Sequence, residues 1–201
     1  FVPARGEGAY VIDTEGRKYL DFYGGHAVAL LGHCPPSVVR AIRSQAEELL
    51  FYSTLAYSPV RARAAKALVE LCGEPGSKVF FCNSGAEANE NAMRVARLAT
   101  GKKTIVATEG SFHGRTAGAL SATGLAKYRK GIDGLGTDIA FVPFGDLAAA
   151  RAALSKSAAG FLLEPIQSMS GALCPPEGYL QGLAAACAEL GAILIFDEVQ
   201  T

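Results

Sequence analysis

Four short stretches of this chain gather residue types that chemistry uses. Asn83-Ser84-Gly85-Ala86-Glu87 puts a hydroxyl and a glycine directly ahead of a helical pattern. The first N–H groups of a helix lack partners, and Gly85 lets a ligand approach the backbone closely. A phosphate held there gains from about 0.3 to 2 kcal/mol through the helix dipole. The same residues suit an ordinary strand-to-helix turn with Asn83 or Ser84 as N-cap. No G-x-G-x-x-G is present, which argues against a dinucleotide turn. Ser111-Phe112-His113-Gly114-Arg115-Thr116 sets an aromatic ring and a guanidinium around a glycine. The ring can stack on a flat ligand and the arginine fork suits a carboxylate. A core phenylalanine and a surface arginine fit the pattern as well. Glu164 and Asp197 each end an apolar run, where a carboxylate is costly without partners. Asp197 is either a buried acid satisfied by backbone donors or the partner of a protonated ring nitrogen. The second bond is worth roughly 1.5–3 kcal/mol and keeps such a ring able to absorb electrons. Gln200 follows closely and can donate to a ring hydroxyl.

These residues need a scaffold, and the apolar periodicity supplies one. Gly8–Asp13 and Lys18–Phe22 read as short strands joined by a Glu15-Gly16 turn. Pro35-Pro36-Ser37 opens a helix running to about residue 50, and a second runs from Pro59 to Cys72, closed by Gly73. Strands and helices then alternate. Strands are expected at Val79–Cys82, Thr104–Ala107, Ile139–Val142, Gly160–Glu164 and Ala192–Asp197, with helices at about 86–99, after Arg115, at 146–154 and at 176–190. Several strands are apolar on both faces, as in a parallel sheet between helices. Ligands of such sheets gather at the C-terminal strand ends, where Asn83–Gly85, Glu164 and Asp197 all fall. The last expected strand ends almost at the end of the chain, so the fold is expected to be incomplete.

Composition narrows the function classes. Half of the 201 residues are hydrophobic and 19% are charged, which suits a globular protein with a sizeable core. The 19 basic and 19 acidic residues cancel, so nucleic acid and anionic membranes lose their main attraction. No apolar run is long enough to span a bilayer, and no metal-ligand cluster is evident. The start is neither a signal nor a transit peptide and lacks an initiator Met, which points to residues missing upstream. Cys34, Cys72, Cys82, Cys174 and Cys187 are scattered and odd in number. They are expected to be free, buried thiols in a reducing cytoplasm.

The order of the motifs carries a family resemblance. Ser-Gly-Ala-Glu-Ala-Asn (84–89), Phe-His-Gly-Arg-Thr (112–116), Glu-Pro-Ile-Gln (164–167) and Phe-Asp-Glu-Val-Gln-Thr (196–201) resemble, in order, the class III aminotransferases. The acetylornithine/ornithine branch is the most similar, and the flanking Leu31-Gly32-His33, 118–124 and Val142-Pro143-Phe144 resemble it too. The resemblance implies an α/β fold type I pyridoxal-phosphate (PLP) transferase, with an incomplete large domain, a mainly parallel sheet and helices on both faces. Residues 1–50 would be the N-terminal segment of the small domain, poorly anchored alone, and 51–201 the N-terminal part of the large PLP-binding domain.

By the same resemblance, Ser84, Gly85 and Ala86 form a phosphate cup, Phe112 stacks on the pyridine ring and His113 lies beside it. Asp197 pairs with the ring nitrogen, Gln200 with the phenolic oxygen and Arg115 with the substrate α-carboxylate, while Glu164 sits close to cofactor and substrate. The implied reaction moves an amino group from an ω-amino donor, best N-acetylornithine, to 2-oxoglutarate, in a cytoplasmic homodimer of arginine biosynthesis. The family's Schiff-base lysine lies beyond the aspartate matched by Asp197, and no lysine follows Asp197 here. The 201 residues alone are therefore expected not to transaminate. Met169 stands where ornithine-type relatives carry a glutamate that manages an active-site arginine. That departure keeps a 4-aminobutyrate-type transaminase or an aminomutase open as alternatives. A non-catalytic α/β module binding a phosphate ligand is the reading from a different class.

Overall fold

The computed structural model describes residues 1–201, which divide into two compact units, Phe1–Phe80 and Phe81–Thr201.

In the first unit, β1 (Pro3–Glu7), β2 (Tyr10–Asp13) and β3 (Lys18–Leu20) form an antiparallel sheet in the order β1-β2-β3. The sequence reading anticipated β2 and β3 but not β1, whose Pro-Ala-Arg-Gly-Glu run carries little β-propensity. The Asp13 carboxylate closes the β2–β3 turn by accepting from the backbone N–H groups of Glu15 and Arg17, from Arg17 Nε and from the Tyr19 hydroxyl. A single turn, α1 (Gly24–Ala27), follows, with positive φ from Gly24 through Ala27. Helices α2 (Pro36–Glu48) and α3 (Pro59–Cys72) each start with proline, whose missing N–H costs nothing at a helix start. Gly73 ends α3 in the left-handed conformation at φ 69°. Only Ile12 and Asp13 are buried in this unit.

Val79–Cys82, expected as a strand, is not one. A strand needs a neighbour to complete its ladder, and no strand of the chain pairs with this segment. Phe80 is accordingly 73% exposed.

The second unit holds four parallel strands, β4 (Ile105–Thr108), β5 (Ile139–Val142), β6 (Gly160–Leu163) and β7 (Ile193–Phe196), in the order β5-β4-β6-β7. The connecting helices are α4 (Gly85–Thr100), α5 (Ala117–Ala122), α6 (Ala126–Arg129), α7 (Leu147–Leu154) and α8 (Tyr179–Leu190). Successive strand residues point to opposite faces, and each face has its own core. Val106, Phe161 and Leu163 pack with Ala150 and Leu154 of α7 and with Leu183 and Ala186 of α8. Ile105, Ala107, Leu162 and Ile195 pack on the other face with Met93 and Ala96 of α4 and Ala122 of α5. Each fully buried Leu or Phe contributes about 1.5–3 kcal/mol. This double burial explains why β6 reads Gly-Phe-Leu-Leu without polar alternation.

The cysteines depart from expectation. All are free, but Cys34, Cys72, Cys82 and Cys174 are exposed and only Cys187 is buried. The exposed ones lie in loops or at the end of α3, and none belongs to either core cluster. Burial in the α7–α8 core pushes the Cys187 thiol up to about 11.

Candidate functional site

The C-terminal edge of the parallel sheet delivers the predicted residues. Beyond β4 the chain turns through Ser111–Arg115, β6 is followed at once by Glu164, and β7 by Asp197. The Ser84 hydroxyl caps α4 by accepting from Glu87 N at 3.2 Å, while Glu87 Oε2 accepts from Asn83 N at 2.6 Å. This is a capping box whose carboxylate reaches one residue further back than usual. Ser84 is therefore the N-cap, and its hydroxyl engages only the N–H of Glu87 among the first-turn donors.

Two close approaches bring the start of α4 against the other motifs. A Cβ on Gly85 would lie 2.7 Å from Val199 Cγ2, and one on Gly114 would lie 2.6 Å from Ala86 Cβ. A side chain at Gly85 would have to displace that of Val199, and Gly114 also faces the Ala86 backbone and has φ 131°, a region that side chains disfavour. The expected cup, the Phe112–Arg115 turn and the loop after β7 thus meet at one spot.

Asp197 is the electrostatic centre of that spot. Its side chain is 5% exposed and that of His113 is fully buried. Oδ2 accepts from Asn89 Nδ2 at 2.7 Å and from His113 Nδ1 at 2.8 Å, and Oδ1 accepts from Val199 N at 3.2 Å. Burial opposes the charge, but the bonds and charge of His113, with the Asn89 bond, hold the carboxyl below its ordinary value. Asp197 is therefore a buried anion held mainly by side chains rather than by backbone donors. His113 Nε2 is buried without a hydrogen-bond partner.

Glu164 is buried beneath the Phe112 turn. Its Oε1 accepts from Phe112 N at 2.9 Å and its Oε2 from Ser168 N at 3.3 Å. Burial raises its carboxyl above the usual value despite these bonds. Phe112 is half-buried and meets Tyr128 edge-on, with ring centroids 5.2 Å apart. Arg115 is exposed, its guanidinium 5.9 Å from the same Tyr128 ring. Gln200 is exposed near the chain end.

Four participants were missed as individuals. Asn89 bridges Asp197 and the His113 carbonyl. Glu90 Oε1 accepts from Thr116 Oγ1 at 2.7 Å, Gly118 N at 2.8 Å and Ala119 N at 3.3 Å, so α4 caps α5. Gln167 Nε2 donates to Thr108 Oγ1 and the Glu109 carbonyl, tying the loop after β6 to the end of β4. Tyr128 lies under Phe112 and Arg115. For Asn89 the sequence does hold a signal. It falls on the α4 face shared with Ala86 and Met93, where a polar residue needs a buried partner.

A group with a phosphate, a flat ring and a cationic ring nitrogen fits these residues. The helix start offers anion donors, Phe112 a ring, and Asp197 a buried anion whose Oδ1 retains an unused lone pair.

Comparison with known proteins agrees with the architecture and the motif order. The family model described as Aminotransferase class-III matches residues 1–201. The chain is 48% identical over 201 residues to the acetylornithine aminotransferase of Methanosarcina acetivorans, covering all of this chain and 50% of that protein. It is 45% identical over 196 residues to that of Methanopyrus kandleri, covering 98% of this chain and 50% of the relative. Among solved structures it superposes on the ornithine aminotransferase from Toxoplasma gondii ME49 with a TM-score of 0.94 and 30% identity, over 100% of this chain and 49% of that one. A PLP-bound amine transaminase from an uncultivated Pseudomonas species gives 0.90 and 27%, over 99% and 52%. The chain spans about half the length of the curated relatives it matches. Its α/β architecture is that of the fold type I transferases. With a family model matched from first residue to last, this chain belongs to the class III aminotransferases.

Proposed function

We propose that this chain supplies the cofactor-holding part of a PLP-dependent aminotransferase that moves an amino group from an ω-amino donor, best N-acetylornithine, to 2-oxoglutarate. The observation that carries the reading is the buried Asp197 anion, pinned by Asn89 and His113 beside the glycine-bearing start of α4. PLP, when bound, supplies a protonated pyridine that takes up electrons from the bond being broken. Asp197 holds the proton on the ring nitrogen, because its own carboxyl is kept ionised. Ser84, Gly85 and Ala86 hold the phosphate and Phe112 lies against the ring. His113 orients Asp197 from Nδ1. Gln200 donates to the phenolic oxygen, Arg115 takes the α-carboxylate, and Glu164 fixes the Phe112 backbone close to the substrate.

The donor assignment is supported by the identity to acetylornithine aminotransferases. One observation favours a second reading. Met169, in the short turn Ser168–Ser170 after β6, is an apolar thioether 39% exposed at the position where, by the family resemblance, ornithine-type relatives carry a glutamate. It cannot pair with an arginine, and a 4-aminobutyrate-type donor or an aminomutase follows if that pairing sets specificity. The free cysteines support a reducing, cytoplasmic setting. Exposed apolar side chains such as Phe22, Leu55 and Tyr57 support coverage by further protein, in a homodimer. We assign residues 1–50 to the small domain and 51–201 to the large one. With no lysine beyond Asp197, the 201 residues alone turn nothing over.

The test uses the protein as its gene encodes it. Bound PLP should be released on denaturation, and N-acetylornithine with 2-oxoglutarate should yield glutamate faster than 4-aminobutyrate does. A preference for 4-aminobutyrate selects the second reading, and a protein that takes up no PLP refutes both.

A further inference from the structure

We infer that Asn89 is a positioning residue for the cofactor's ring nitrogen: its amide locks the Asp197 carboxylate in one orientation and leaves Oδ1 as the oxygen that meets the ring N–H. The inference rests on the PLP reading above and deepens it.

Asn89 sits on the second turn of α4, 5% exposed, and its one amide nitrogen serves two elements. It donates to Asp197 Oδ2 at 2.7 Å and to the His113 carbonyl at 2.9 Å. Both partners are acceptors, so the amide cannot be turned over. The opposite orientation would set its oxygen against a carboxylate and a carbonyl. The two N–H groups of a primary amide diverge in one plane, so Asn89 fixes Asp197 and the His113 backbone relative to each other.

The consequence lies in the lone pairs of Asp197. Oδ2 has both of its in-plane lone pairs taken, by Asn89 and by His113 Nδ1. Oδ1 accepts only from Val199 N, at 3.2 Å, and keeps one lone pair for a further donor. The terminal torsion of an aspartate is broad and roughly two-fold. Without Asn89, Oδ2 regains a free lone pair and either oxygen can face the ring. The hydrogen bond to Asn89 is also one of those that favour the charged carboxylate. Asn89 thereby acts on a ring nitrogen that it does not touch.

A structural role and a positioning role separate when the ring nitrogen itself is removed from the probe. The apo form of the protein, as its gene encodes it, is titrated calorimetrically with PLP and with the carbocyclic analogue whose ring nitrogen is C–H. Asn89→Ala removes the donor, and Asn89→Leu removes it while filling the same volume, so that a fold weakened by the alanine cavity does not void the test. Both variants should bind PLP about tenfold more weakly, the worth of one hydrogen bond to a charged group. Their affinity for the analogue should stay within about twofold of the parent, a change too small for a lost hydrogen bond. Equal losses for both ligands, or no loss for PLP, would overturn the inference and leave Asn89 a packing residue. A parent protein that binds neither ligand would refute the cofactor reading itself.

Discussion

Residues 1–80 and residues 81–201 are equally rich in hydrophobic side chains but use them differently. In the second unit they form two cores, one on each face of the parallel sheet, with Phe161, Leu162 and Leu163 inaccessible to solvent. In the first unit only one apolar side chain, Ile12, is buried, while Phe22 is 94% and Leu55 97% exposed. The difference follows from topology. Strand–helix–strand crossovers bury both faces of a sheet with local chain. A three-stranded meander followed by two helices has no such second layer of its own. Apolar content therefore measures how much surface a segment needs to cover and not how much it covers by itself. The polar half of the comparison runs the same way. Asp197, His113, Asn89 and Glu164, the buried polar groups of the candidate site, all lie in the second unit.

The comparison is sharpest at the cores. Phe161→Ala should cost about 3–5 kcal/mol, read by urea unfolding, because it opens a cavity where α7 and α8 meet the sheet. Leu55→Ala in the 201-residue chain should shift stability by less than about 0.5 kcal/mol. A cost for Leu55 close to that for Phe161 would break the comparison.

Asp197→Ala comes next. It strands the donors of Asn89 and His113 in a buried place, and about 3 kcal/mol of stability should be lost. Cofactor uptake should disappear with it, as a dialysis assay would show. Glu90→Ala should cost about 1 kcal/mol, the size of a lost helix cap, since three donors at the start of α5 lose their acceptor. Amide exchange should report that loss in 116–119 and not in the first unit.

The smallest effect is a pH dependence with two opposing parts. The Asp197 carboxyl is held low, so its contribution to stability is present above its unfolded value, about 3.9, and is lost as pH falls through the folded one. Burial holds the Glu164 carboxyl high, so its contribution is complete below about 4.3 and is lost as pH rises through the folded value. Glu164→Gln should therefore flatten the decline in stability on the alkaline side of pH 4.3, measured by unfolding at a series of pH values. An unchanged slope would mean that Glu164 is not the group responsible.

Much of this was legible in the residues. The α3 stop at Gly73 and the β5 limits at Ile139 and Val142 fell where local signals put them, and the cap of α4, open between Asn83 and Ser84 in the sequence, is Ser84. The misreadings share a cause. Val79–Cys82 has the composition of a strand, but pairing is not a property of the segment. The cysteines were expected to be free and buried from their scatter and odd number, and they are free, but four of them belong to neither core cluster and are exposed. Glu90 and Gln167 look like ordinary surface polars until the elements they join are side by side.

The sequence by itself determined the alternation of strands and helices from α4 to β7, the family and the chemical types at the sheet edge. Those depend on backbone propensity, periodicity and motif spacing, which are local. Only the tertiary structure decided that Asn89 and His113 share one oxygen of Asp197, that Glu164 lies under Phe112, and that Val199 fills the space a side chain at Gly85 would need. Those facts join residues up to 114 positions apart, the separation of Gly85 and Val199. Hydrogen-bond geometry and steric contact act over a few ångströms in space, and distance along the chain does not predict them.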